Sequence, residues 1–220
     1  MKKTWSDQRK PSLEGLHVLV DDNPIWPCTL AEQARAACAG GAAVVQLRTK
    51  HTTDKETLKM ALNIRQWTRD TGISFIINDR FDLALACEAD GVHLGQTDLP
   101  PASIPSHLRN QLQVGRSTHT IDQARIALEE GVDYVAFGPV FSTESKDSSY
   151  LQRGLPLLEE IVQLSGIKPV VAIGGITLKN LNEILSTGAR GAAVISAMTQ
   201  AASPQQAVQD LSAVFQSHLG

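Results

Sequence analysis

Two apolar runs in this chain each end on a carboxylate. Phe75-Ile76-Ile77 passes directly into Asn78-Asp79-Arg80, and Gly91-Val92-His93-Leu94 passes into Gln96 and Asp98. If the runs are neighbouring strands, about 4.8 Å apart, both acids reach one divalent cation. Oxygen ligands without clustered His or Cys favour Mg²⁺ over zinc. The same spacing also suits a local reading, in which Asp79 caps a helix starting near Arg80 and Asp98 closes an Asx turn before Pro100-Pro101. A third apolar run ends in Gln46-Leu47-Arg48-Thr49-Lys50. Gln46, Arg48 and Lys50 share a parity, so an extended backbone points them to one side. An amide and two cations converging there suit an anion clamp; a solvated strand edge is the alternative.

Further strand ends carry polar groups as well. Ser117-Thr118-His119-Thr120 follows one run, with Thr120 placed to cap the next helix and Ser117 left as a free donor. His119 has the chemistry of a general base, although a lone loop histidine is more often structural. A long polar segment, Gly138 to Ser149, holds hydroxyls and Lys146 without an apolar pattern, and a loop of that length suits closure over a substrate. Gly174-Gly175 and Ile195-Ser196 end the last two runs. Backbone N–H groups there suit a phosphate, with plain turns as the alternative.

The elements that position these residues alternate. Strand candidates are 17–20, 43–47, 74–78, 91–94, 113–117, 133–138, 169–174 and 192–196, mostly continuously apolar, as parallel strands covered on both faces should be. Helical patterns lie between them: 54–71 with Asp54 as N-cap and Gly72 after its end, 120–130, 177–187, and 204–218 with proline in its first turn. The joints AGGAAVVQL, EEGVDYVAFG and STGARGAAVIS each run from helix end through glycine into strand. About eight such strands predict an α/β single-domain (β/α)8 TIM barrel over residues 13–220, with residues 1–12 as a flexible polar leader. A doubly wound open sheet is the runner-up, without a G-x-G-x-x-G after the first strand to support it. In a barrel, all the strand ends above open onto one face.

Composition bounds the rest. The 220 residues are 42% hydrophobic and 20% charged, with net charge −3, an ordinary balance for a globular domain without a nucleic-acid footprint. Three cysteines without C-x-x-C spacing argue against a disulfide framework or zinc site and read as reduced thiols of a cytoplasmic protein. No apolar window reaches membrane-spanning length. The sequence leaves a homo-oligomer open.

In order and at fitting spacing, QLRTK (46–50), IINDR (76–80), GVHLGQTDLP (91–100), STHT (117–120), FGPVFSTESK (137–146), VAIGGIT (171–177) and VIS (194–196) resemble the thiamine-phosphate synthase family over roughly residues 16–200. The resemblance implies a barrel that joins an aminomethylpyrimidine diphosphate to a thiazole phosphate and releases pyrophosphate. It implies that Gln46, Leu47, Arg48, Thr49, Lys50, Asn78, Ser117 and Lys146 bind the pyrimidine diphosphate, with Arg48, Lys50 and Lys146 catalytic. Thr143, Glu144, Ser145, Gly175, Ile195 and Ser196 would bind the thiazole phosphate, and Asp79 and Asp98 would hold Mg²⁺. The implied partners are small phosphorylated substrates, not nucleic acid or membrane. Two departures stand out. The strand-6 loop has Ser145 where the family often has threonine, and the first strand ends in Val20-Asp21-Asp22-Asn23-Pro24, which leaves Asp21 and Asp22 without a role. The alternatives are a thiazole tautomerase-like isomerase, with His119 as its proton-transfer residue, and a non-catalytic phosphometabolite-binding barrel.

Overall fold

The computed structural model describes residues 12–143 and 151–219. Nearly all of the expected leader, and the segment holding Glu144, Ser145 and Lys146, lie outside the described residues. Eight parallel strands close on themselves in sequence order: β1 (Gly15–Asp21), β2 (Val44–Arg48), β3 (Ser74–Asn78), β4 (Gly91–Leu94), β5 (Gln113–Thr118), β6 (Tyr134–Phe137), β7 (Val170–Ile173) and β8 (Gly191–Val194). Around them, among the described residues, run α1 (Leu30–Ala39), α2 (Asp54–Thr71), α3 (Phe81–Ala86), α4 (Ser106–Arg109), α5 (Ile121–Glu129), α6 (Leu155–Ser165), α7 (Leu181–Ser186), α8 (Ser196–Thr199) and α9 (Pro204–Leu219).

Strand periodicity divides the core into two layers. Val18, Val45, Phe75, Val92, Val135 and Ala192 point outward and pack under the helices. Leu19, Val44, Ile76, Tyr134, Val171 and Ala193 have the opposite parity and fill the barrel. Both faces of each strand are therefore dry, which is why the runs read as continuously apolar.

The long helix α2 begins one residue earlier in its capping than the sequence suggests. Thr53, not Asp54, is the N-cap: it accepts from the Glu56 N–H while Glu56 reaches back to Thr53, and Asp54 sits in the first turn beside the helix's positive end. Gly72 ends it with φ +72°, a left-handed position suited to glycine. α1 uses the same reciprocal cap, Thr29 with Glu32. Thr120 caps α5 as expected. The 177–187 pattern yields only the six-residue α7, because Asn180 ties Thr177 N–H and the Gly175 carbonyl into a turn before the helix begins. Short α3 and α4, with α1 and α6, were not apparent from periodicity.

The floor of the barrel is closed by His17, whose Nε2 donates to the Leu13 carbonyl at 2.8 Å. The Ser12 carbonyl accepts from Ser74 Oγ at 3.0 Å. Complete burial pushes the His17 pKa down to about 4, with the Leu13 hydrogen bond opposing the shift only in part. The fold therefore holds His17 neutral, whereas the unfolded chain protonates it below about 6.5. Its contribution to stability is full above pH 6.5 and is lost as pH falls towards 4, on the order of 3 kcal/mol. Urea unfolding at pH 7 and pH 4.5 should show a smaller pH loss for His17→Gln than for the native chain; equal losses would refute the assignment.

Candidate active site

The polar strand ends gather at one mouth, as parallel strands require. At its centre, the carboxylates of Asp79 and Asp98 come within hydrogen-bonding contact. Asp79 also forms an ion pair with the Lys50 ammonium. Burial, then the neighbouring Asp98, pushes the Asp79 pKa above the usual carboxylate range against the pull of Lys50. The Asp79 backbone is left-handed, with φ +66°. This is costly for most L-residues and mildest for Asn and Asp. It is held there because the Asp79 N–H donates to the His93 carbonyl at 2.7 Å and the Arg80 N–H to the Asn78 carbonyl at 2.8 Å. That twist turns the side chain from the strand axis towards Lys50 and Asp98.

The local readings of the two acids fare differently. Asp79 caps nothing: α3 starts at Phe81 without a side-chain cap. Asp98 does close a turn, accepting from the Gly95 N–H at 2.6 Å, and it meets Asp79 as well. Among the described residues, no three of His, Cys, Asp and Glu cluster as a metal cage. The pair offers two oxygen groups, the number that Mg²⁺ usually takes from protein when phosphates and waters complete its shell. Two adjacent carboxylates, one resisting ionisation, form a site that a cation relieves.

β2 supplies the flank. Gln46 is buried inside the barrel. Arg48 is paired with Asp21 at the end of β1, and Lys50 with Asp79. Leu47 faces the other way, into the helix-packed layer, and Thr49 Oγ1 accepts from Thr57 of α2 at 3.1 Å, so neither side chain turns to the mouth. Asp22 fixes the loop that carries Lys50: its carboxylate accepts from the backbone N–H groups of Lys50, His51 and Thr52, each at 2.8 Å. Those bonds hold its pKa low despite the opposing effect of partial burial.

Across the barrel, Ser117 is not a free donor. Its Oγ lies 2.8 Å from His93 Nε2, and His93 Nδ1 lies 2.8 Å from the Tyr134 hydroxyl. Gln96 Nε2 donates to the Ser117 carbonyl. Tyr134 is fully buried, and its phenol pKa is pushed upward by burial, so it remains a neutral O–H. Gly115 makes this chain of contacts fit, since a Cβ there would overlap the Tyr134 ring. His119 donates from Nδ1 to the Gly138 carbonyl, a bond between the ends of β5 and β6.

The opposite rim is a cleft of about 420 Å³ lined by Ile25, Trp26, Thr143, Gly175, Ser196 and Gln200, among others. Gly175 has φ +65°, and a Cβ there would run into Phe141, so only glycine brings the backbone this close. Ile195 and Ser196 line the adjoining, narrower recess with Thr143. Of the residues expected here, Thr143, Gly175, Ile195 and Ser196 are brought together. Trp26 and Gln200 were not anticipated: one sits in a proline-flanked loop and the other just beyond α8, where no periodic pattern marks an inward side chain.

A family model described as thiamine monophosphate synthase matches residues 16–198. The chain belongs to the thiamine monophosphate synthase family. Its activity is that of a thiamine-phosphate synthase, a transferase of thiamine biosynthesis. A thiamine-phosphate synthase from Methanocella arvoryzae is 40% identical over 203 residues, covering 92% of this chain and 95% of that one. One from Methanoregula boonei is 45% identical over 181 residues, covering 82% and 83%. The solved thiamine phosphate pyrophosphorylase of Pyrococcus furiosus superposes with a TM-score of 0.83 at 36% identity, covering 94% of this chain and 97% of that one. The matched span contains every strand end described above but not residues 1–15.

Gly115→Ala should force the Tyr134 ring aside, at a cost of about 1–3 kcal/mol. Thermal melting should fall by several degrees and turnover should drop as the His93–Ser117 contact shifts. A variant with unaltered melting would mean that the ring has room to move.

Proposed function

We propose that the mouth couples an aminomethylpyrimidine diphosphate to a thiazole phosphate with Mg²⁺ held between Asp79 and Asp98. The meeting of those two acids beside Lys50 carries the reading, because a pair of carboxylates with more negative charge than one lysine offsets suits a divalent cation that in turn holds a diphosphate. The cleft on the far rim supports a separate place for the thiazole phosphate.

In the reaction, the bond from the pyrimidine methylene carbon to the diphosphate oxygen breaks, and its electron pair leaves with pyrophosphate. The thiazole nitrogen then donates its lone pair to that carbon. Neither half needs a side-chain nucleophile or a general base. When bound, Mg²⁺ supplies positive charge for the departing diphosphate. Arg48 and Lys50 neutralise the same developing charge in a partly water-excluded site, where charge stabilisation is strong. Gln46 and Asn78 orient the pyrimidine with Ser117, whose hydroxyl is held by His93. Gly175, Ile195, Ser196 and Thr143 receive the thiazole phosphate and aim the nitrogen. Lys146, Glu144 and Ser145 belong to the same reading by resemblance alone. A cytoplasmic location is proposed on the same footing; among the described residues no helix is long and apolar enough to cross a membrane.

The decisive measurement is pyrophosphate release with both substrates, with and without Mg²⁺. Chelation should abolish release, and adding Mg²⁺ back should restore it. Asp79→Ala and Asp98→Ala should each lower kcat by about 10²-fold or more while circular dichroism stays native. Full turnover in chelator would sink the metal assignment.

A further inference from the structure

The two acids that end β1 have no role in the reaction as described, yet one of them touches both rims of the mouth. Asp21 is completely buried at its side chain. One carboxylate oxygen is paired with the Arg48 guanidinium. The other accepts from the Trp26 indole Nε1–H at 2.7 Å and from the Asn23 N–H at 3.0 Å. Arg48 faces the diphosphate side, and Trp26 forms a wall of the cleft on the thiazole side. Asp21 itself is pinned: its N–H donates to Gln33 Oε1 at 2.9 Å and its carbonyl accepts from Gln33 Nε2 at 3.0 Å. Gln33 lies buried in α1 and also binds the Cys28 carbonyl.

We propose that Asp21 is a positioning residue that couples the two substrate sites, holding Arg48 for the diphosphate and Trp26 for the thiazole phosphate through one carboxylate. The proposal rests on the substrate assignment above. A buried carboxylate requires a compensating cation, so Arg48 is confined to one arrangement. Its guanidinium has five N–H donors in a planar fork, so pairing with Asp21 leaves an edge for phosphate oxygens. The indole has a single donor, and with that donor committed the ring plane is set. Movement of the arginine on binding diphosphate is therefore felt by the tryptophan, and the reverse.

The test is steady-state kinetics of the full chain, varying each substrate at saturating levels of the other, with thermal melting alongside. Asp21→Asn keeps the shape but loses the charge and one acceptor. It should raise KM for both substrates by about ten-fold, a larger change than in kcat. Trp26→Phe keeps an aromatic ring but removes the indole donor; it should raise KM for the thiazole phosphate several-fold and, through Asp21, that for the diphosphate by a smaller factor. An Asp21→Asn protein with lowered melting but both KM values within two-fold of native would overturn the proposal, as would a rise in only one. Arg48→Ala separates this failure from failure of the substrate assignment. If Arg48→Ala raises the diphosphate KM while Asp21→Asn does not, the coupling alone is wrong. If Arg48→Ala leaves that KM unchanged, the assignment and the coupling fall together. Should Asp21→Asn not fold, a double-mutant cycle of Arg48→Lys and Trp26→Phe on native Asp21 reads the same link. Effects that fall short of multiplying support it; effects that multiply within two-fold refute it.

Discussion

Two carboxylates held in contact repel each other, and the mouth of this barrel is built around that repulsion. Asp79 and Asp98 come from loops after adjacent strands, which is as near as the fold can bring two chain segments without covalent linkage. Lys50 relieves part of the repulsion, yet burial and Asp98 still hold the Asp79 carboxyl above its ordinary range. This imbalance is what the proposed Mg²⁺ and its diphosphate would relieve. The strained φ of Asp79 is tolerated because its own N–H is bonded across to β4 at His93 and the Arg80 N–H back to Asn78.

Among the described residues, the cations of β2 and its loop each already have an acid. Arg48 pairs with Asp21, Lys50 with Asp79, and the Lys50 loop is closed by Asp22. Such pairing lowers the rotamer freedom that a long side chain would lose on binding substrate, and it explains how a cluster of cations stands in a chain of net charge −3. Beneath the mouth, the barrel becomes progressively less polar, from the Ser117–His93–Tyr134 line to Leu19, Val44 and Ile76. The neutral His17 lies at the floor.

The fold was largely legible because its signals are local and repeated. Burial on both strand faces writes itself as apolar runs, and the glycine after each helix marks the return to the sheet. The strands at 74–78 and 91–94 coincide with the predicted runs. Helices α3, α4 and α8 are too short for a 3.6-residue period to be recognised. Cap identity also needed coordinates, since Thr53 and Asp54 are both good caps by residue type.

The site was legible wherever a residue sits at a strand end. The amino-acid order alone determined that Gln46, Arg48, Lys50, Asp79 and Asp98 share one mouth, since parallel strands place all their C-terminal ends on one side. The tertiary structure decided which of them pair. It gave Arg48 to Asp21, bound Ser117 to His93, turned Leu47 and Thr49 outward, and brought Trp26 and Gln200 to the cleft. Periodicity fixes the face a strand residue points to, but partners across a closed barrel depend on register, shear and loop path, and these are set only when all eight strands close together.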